Sequence, residues 1–228
     1  METNFVMNIL EYADREMLVI EVANALVSDL KTALFNHNQV SFVVPGGTTP
    51  GPIFDILCAA DIEWERIHIM LSDERWVPDD HPRSNAKLLR ERLLVDRAKA
   101  ARFTPFYVPD VDVAQACTDV SKKLSTELPI SVSMLGMGAD MHTASLFPNA
   151  HGLAKALSTG APALCPIQAE GQEQRVTISA QTLNNAIAKH IVIFGDDKRV
   201  ALNVAKGSSP ETAPVSAILN GTTIHWAA

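Results

Sequence analysis

Val40-Ser-Phe-Val-Val44 is a short, largely apolar run rich in strand formers. Such a run fits a strand buried on both faces. A helical stripe precedes it. Leu18, Val22, Leu26, Leu30 and Leu34 fall four apart within residues 14–36, with Ala25 and Ala33 beside them. A glycine turn follows, then a second helical stretch, Ile53-Phe-Asp-Ile-Leu57. This strand–turn–helix unit recurs. Arg66-Ile-His-Ile-Met-Leu71 leads through a polar loop, Ser72–Pro82, to a helix that Ser84 caps and that carries Leu88, Leu89 and Leu93. Residues 102–107 read as a short strand and 111–128 as a helix. Ile130-Ser-Val-Ser-Met-Leu135 is another buried strand, ending at Gly136. Arg175–Ser179 and Ile191–Phe194 read as strands with helices after each, and Thr222–Trp226 as a last strand. Alternation of this kind calls for an α/β fold: a doubly wound, mainly parallel sheet flanked by helices. One domain over residues 1–228 is expected. Residues 149–174 are the least regular stretch, a surface excursion or a small subdomain.

The chain has 228 residues, 47% of them hydrophobic, which is enough for a sizeable core. No apolar run approaches the roughly 20 residues of a membrane span. The stretch Met1–Leu10 lacks the basic region and cleavage site of a signal peptide. Cys58, Cys117 and Cys165 are scattered and odd in number, with no disulfide framework or zinc spacing. They read as small buried hydrophobes in a cytoplasmic protein. A net charge of −7 argues against nucleic acid as a partner. It also repels anions in general, so an anionic substrate needs donors gathered in one place.

Parallel strands put their carboxyl ends on one rim, where open α/β sheets bind ligands. Four sets of residues stand at such ends or at comparable places. Gly46-Gly-Thr-Thr-Pro50 exposes backbone N–H groups and hydroxyls before a helix, a phosphate cradle in kind or an ordinary turn. Ser72-Asp-Glu-Arg75 offers Asp73 and a guanidinium, Arg75, suited to bidentate contact with phosphate; the alternative is a surface salt-bridged turn. Two further cations stand at comparable places, Arg175 opening a strand and Lys198 at a strand-to-helix turn, or else they are solvated charges; Arg199 is taken as solvated. Gly136-Met-Gly138 allows positive φ and close approach, and Asp140 and His142 follow it. An imidazole there suits general-base chemistry, because histidine titrates near working pH. Taken alone, the stretch leaves a loop histidine equally open. Asp140, His142 and His151 lack a diagnostic metal spacing. There is no Gly-x-Ser-x-Gly elbow and no His-Glu-x-x-His helix. His68 reads as a satisfied core residue, and His37, His81, His190 and His225 have no supporting constellation.

The chain resembles the 6-phosphogluconolactonase family and, more distantly, glucosamine-6-phosphate deaminase, which shares that fold. Three blocks carry the resemblance: Gly46–Pro50, Leu71–Pro78 with Ser84-Asn85 following, and Gly136–Pro148. A weaker block joins Arg175–Ser179 to Lys198. The resemblance spans about residues 15–226. It implies a fold of the deaminase and ribose-phosphate isomerase kind, a sugar-phosphate lactone as substrate, and no cofactor or metal. It puts the general base on His142, its neighbouring acid on Asp140 and a further acid on Asp73. It puts phosphate binding on Gly46, Gly47, Thr48, Arg75, Arg175 and Lys198. The turn at Gly136 and Gly138 is expected to supply oxyanion donors. A monomer or homodimer is expected, with no nucleic-acid or membrane partner.

Two positions discriminate further. The family usually has glycine where Met141 stands. A glycine there points to a backbone at positive φ, which Met resists. Either the loop is rearranged or the glycine is not conformationally required. The deaminase has a glutamate shortly after its histidine, where this chain has Phe147. That favours lactone hydrolysis over amino-sugar isomerisation, the first rival. A non-catalytic sugar-phosphate sensor is the second. Asp140 with His142, and the lack of a DNA-binding segment, weigh against it.

Overall fold

The computed structural model describes residues 7–228; Met1–Val6, part of the stretch read for a leader, lie outside it. In chain order the strands are β1 (Asn8–Glu11), β2 (Val40–Val44), β3 (Ile67–Leu71), β4 (Asp73–Arg75), β5 (Arg102–Phe103), β6 (Val132–Gly136), β7 (Leu164–Ile167), β8 (Arg175–Ile178), β9 (Ala188–Phe194) and β10 (Thr223–Ala227). The helices are α1 (Arg15–Asn36), α2 (Gly51–Leu57), α3 (Asn85–Arg92), α4 (Val113–Leu124), α5 (Leu153–Leu157), α6 (Ala180–Asn184) and α7 (Asp196–Ala205). Seven strands form one sheet in the order β1-β10-β9-β6-β2-β3-β5. Every pairing in it is parallel. Helices flank it, as the alternation predicts. Among the described residues no helix is long and apolar enough to cross a membrane.

Caps fix where several helices begin. The Asp14 carboxylate accepts the Met17 N–H at 2.8 Å, and Ser84 and Ser179 cap α3 and α6 in the same way. The stripe on α1 is buried at Leu18, Val22, Leu26, Leu30 and Leu34. It packs against β2, β6 and β10. All five residues of β2 and of β3 are buried, as runs covered on both faces must be. The three cysteines are buried and free. Burial pushes the Cys117 thiol up to about 12 and the Cys165 thiol up to about 11, so neither is a ready thiolate.

Three strands depart from the sequence reading. Asp73–Arg75 falls within the stretch read as a polar loop, yet it is a strand. It pairs antiparallel with β8, and β8 with β7, in a separate three-stranded sheet. Arg175–Ile178 is therefore a strand, as expected, but of this second sheet. β7 lies inside the irregular stretch 149–174 and carries Pro166, which an edge strand tolerates. β1 is largely exposed and pairs only with β10, so it has no buried run to betray it.

Two of the four histidines without an apparent constellation, His190 and His225, prove to have one. Tyr12 Oη meets His225 Nδ1 at 2.8 Å, His225 Nε2 meets His190 Nδ1 at 3.0 Å, and His190 Nε2 meets Asp29 Oδ2 at 2.7 Å. This chain of hydrogen bonds ties β9 and β10 to α1 and to the residue after β1. Burial, and secondarily His190, push the His225 imidazolium down to about 4. An imidazole whose folded-state value is depressed holds fewer protons folded than unfolded, so stability falls as pH drops below the ordinary value near 6.5 and the loss is complete near 4. Up to about 3 kcal/mol rides on this group. The thermal midpoint of the wild type should fall across that interval, and His225→Asn should flatten the dependence. An unchanged slope in the variant would contradict the assignment.

Candidate active site

Four strand ends meet around one cleft. β2 delivers Gly46, Gly47 and Thr48; β6 delivers Gly136, Gly138 and His142; β9 and the first turn of α7 deliver Lys198. β3 runs through Ser72 into β4, which with β8 contributes Asp73, Arg75 and Arg175. Of the residues given a catalytic, phosphate-binding or oxyanion role from the sequence, all line this cleft except Asp140, which touches it through His142.

The carboxylate of Asp140 accepts from His142 twice: from the ring at Nδ1, 2.5 Å away, and from the backbone N–H at 3.3 Å. The ring bond holds the Asp140 carboxyl below the usual carboxylate range. With Nδ1 facing a carboxylate, the ring proton belongs there and Nε2 presents its lone pair. The other face of the imidazole packs on Phe147, with ring centroids 4.4 Å apart at 36°. The Arg175 guanidinium stands 5.1 Å from the centroid of the same Phe147 ring. Phe147 is thus an apolar surface that both the imidazole and the guanidinium contact.

Backbone conformation in this loop corrects one expectation. Gly136 and Gly138 do not take positive φ; Met141, at φ 67°, and Ala144, at φ 50°, do. The loop therefore keeps the conformation that glycine would favour, and Met141 accepts the strain. Its side chain packs on the core, and its carbonyl accepts the Val215 N–H at 3.1 Å. Gly138 is required for approach instead. A Cβ there would lie 2.2 Å from His142 Nδ1 and 2.4 Å from Asp140 Oδ1. The Gly138 N–H is already donated to the His142 carbonyl at 3.0 Å, so it is not free for a ligand.

Asp73 belongs to a different arrangement. It is buried, and its carboxylate accepts from Ser72 Oγ at 2.8 Å and Ser145 Oγ at 2.6 Å. Arg175 Nη1 stands 4.0 Å away. Among the described residues no hydrogen bond joins Asp73 to His142. Lys198 is half-buried and has no ion-pair partner among the described residues. His151 pairs by its backbone with Gln168, away from Asp140 and His142. No cluster of three or more His, Cys, Asp or Glu among the described residues is arranged to hold a metal.

Two residues on this rim escaped the sequence reading as individuals. Glu74 is wholly buried and accepts four hydrogen bonds, from the backbone of Arg75, Asn85 and Ala86 and from Ser84 Oγ. Burial pushes its carboxyl up, while those donors pull against the shift. It docks the N-terminus of α3 onto β4. Asn85, the first residue of α3, donates from Nδ2 to the Asp73 carbonyl at 2.9 Å and lines the cleft. A Cβ on Gly46 would lie 1.9 Å from Asn85 Oδ1, which is why that position has none. Alternating charge in Ser72–Pro82 gave no sign that a carboxylate there is interior.

The family model for glucosamine-6-phosphate isomerases/6-phosphogluconolactonase matches residues 13–226. The 6-phosphogluconolactonase of Pseudomonas aeruginosa is 38% identical over 210 residues, covering 90% of this chain and 88% of that protein. That of Mesorhizobium japonicum is 36% identical, covering 95% and 93%. The crystal structure of a 6-phosphogluconolactonase from Shewanella baltica superposes with a TM-score of 0.93 at 29% identity, over 97% of this chain and 98% of that one.

The tautomer is open to direct measurement. The ¹⁵N shifts of the His142 ring should place the proton on Nδ1 in the wild type. Asp140→Ala and Gly138→Ala should both move population to Nε2, the first by removing the acceptor and the second by displacing it. A wild-type ring protonated at Nε2 would contradict the geometry.

Proposed function

Because the chain belongs to the glucosamine-6-phosphate isomerase/6-phosphogluconolactonase family, we propose that it hydrolyses 6-phospho-D-glucono-1,5-lactone to 6-phosphogluconate, a step of the oxidative pentose phosphate pathway. The observation that carries the choice within the family is Phe147. Its ring occupies the side of His142 where isomerase chemistry would need a second acid–base group. Free, buried cysteines favour a cytoplasmic setting.

His142 Nε2 takes a proton from water as that water attacks the lactone carbonyl. When the tetrahedral adduct collapses, the bond from C1 to the ring oxygen breaks, and the imidazolium returns the proton to that oxygen as the new hydroxyl. The carboxylic acid formed gives its proton to solvent. Asp140 holds the ring with Nε2 outward and stabilises the imidazolium that forms. A δ-lactone is a reactive ester, so a positioned base is enough and no covalent nucleophile or metal is required. The carbonyl oxygen gains negative charge in the transition state. With the Gly138 N–H committed to the loop, that charge must be met by another donor on the cleft. The phosphate is held by Gly46, Gly47, Thr48, Arg75, Arg175 and Lys198. Anchoring it sets the carbonyl against the base, which is where most of the orientation comes from. Asp73 keeps Arg175 in place and stays out of proton transfer.

His142→Ala tests the base. Turnover should fall by about 10²–10⁴-fold after spontaneous hydrolysis is subtracted, while the thermal midpoint and the affinity for 6-phosphogluconate stay close to wild type. A folded variant with near wild-type turnover would defeat the assignment. Arg75→Ala tests the phosphate. It should raise KM for the phosphorylated lactone and leave an unphosphorylated lactone unaffected; equal losses on both would point to a structural role.

A further inference from the structure

Arg75 and Arg175 are direct cross-strand partners where β4 pairs with β8. Like charges at paired positions repel, and this pair is largely buried. Between them lies Glu173, from the loop that leads into β8. Its Oε1 is 3.5 Å from Arg75 Nε and 3.8 Å from Arg175 Nη2, and its Oε2 is 3.0 Å from Arg83 Nη1. Glu173 Oε1, Arg75 Nε and Arg175 Nε are all buried and all lack a hydrogen-bond partner among the described residues. The carboxylate thus acts on the pair as a charge, not as a hydrogen-bonded fork. The guanidinium groups are fixed by other bonds: Arg75 Nη1 donates to the Arg83 carbonyl at 2.9 Å, and Arg175 Nη2 to Gln172 Oε1 at 2.7 Å. Arg75 and Arg175 line the cleft; Glu173 and Arg83 do not.

We infer that Glu173 is the resident counter-anion of the Arg75–Arg175 pair, and that the second anion of this pair is the phosphate of the substrate. The inference rests on the phosphate reading given above. Three cations, Arg75, Arg83 and Arg175, face two carboxylates, Asp73 and Glu173, so the empty site carries a net positive charge. A buried guanidinium pair without Glu173 would be strained by repulsion when empty and would attract phosphate more strongly when filled. Arg75 Nη2 and Arg175 Nη1 make no hydrogen bond among the described residues, which leaves them as the donors for phosphate oxygens. Glu173 is a positioning residue: it keeps the pair assembled before substrate arrives and weakens the grip on phosphate.

Glu173→Gln keeps the shape and removes the charge. Its thermal midpoint should be measured in dilute buffer with and without inorganic phosphate, with ionic strength matched by chloride. Without phosphate the variant should melt about 2–4 °C below wild type. Phosphate should raise its midpoint more than that of wild type, with half-saturation at a roughly threefold lower concentration. KM for the phosphorylated lactone should drop in parallel, with kcat unchanged. A variant that gains no more from phosphate than wild type, or binds it more weakly, would overturn the role and leave an ordinary loop ion pair. A wild type indifferent to phosphate, with Arg75→Ala no different, would overturn the phosphate reading itself and the counter-anion with it. Should Glu173→Gln fail to fold, Arg75→Gln/Glu173→Gln removes one cation together with its counter-anion. Recovery of folding supports the inference, and continued failure overturns it.

Discussion

Parallel pairing of β2, β6 and β9 sets everything that happens at the cleft. Val44, Gly136 and Phe194 end neighbouring strands on the same side of the sheet. Two loops, 45–50 and 137–144, and the start of α7 at 195–198, all far apart in sequence, therefore open onto one volume. Short loops can carry function only if their anchors do not move, and these anchors are strands whose side chains are almost wholly buried. The parallel sheet accounts for the glycine cradle, the histidine and the lysine.

It does not account for the arginines. Those depend on the small antiparallel sheet, where β4 continues directly from β3 after Ser72 and pairs with β8. The Ser72 N–H donates to the Val44 carbonyl at 2.8 Å and the Ile178 N–H to the Ser72 carbonyl at 2.8 Å, so this one residue couples the two sheets. Glu74 then fastens α3 to the junction from inside. A wholly buried carboxylate is costly unless its lone pairs are filled, and four donors fill them. Removing it would strand two backbone N–H groups at the start of α3 and that of Arg75 on β4, so its role is to hold Asn85 and Asp73 at fixed places on the rim.

Much of this was legible in the chain. The stripe of α1, the runs of β2, β3 and β6, and the cap at Ser84 follow from periodicity and local hydrogen bonding, and they appear where those rules put them. The gathering of the glycine loop, the histidine turn and Lys198 follows from parallel topology alone. What was not legible has a common cause. Asp73-Glu-Arg75 carries three charges in a row, which propensity assigns to solvent; the structure makes it a strand because serine hydroxyls, backbone amides and opposed charges satisfy each group. Met141 takes a left-handed conformation because its packing and its carbonyl bond to Val215 outweigh a local preference. The relay through Tyr12, His225, His190 and Asp29 joins residues up to 213 apart, beyond any window of local reading.

The central claim is that this cleft hydrolyses a phosphorylated δ-lactone by base-assisted attack of water. The most direct test follows acid release from freshly prepared 6-phosphogluconolactone at neutral pH, beside an identical run with glucono-1,5-lactone and the spontaneous rate of each. The account predicts rapid enzymatic hydrolysis of the phosphorylated lactone and far less gain on the other. Acid release no faster than the spontaneous rate for the phosphorylated lactone would contradict it.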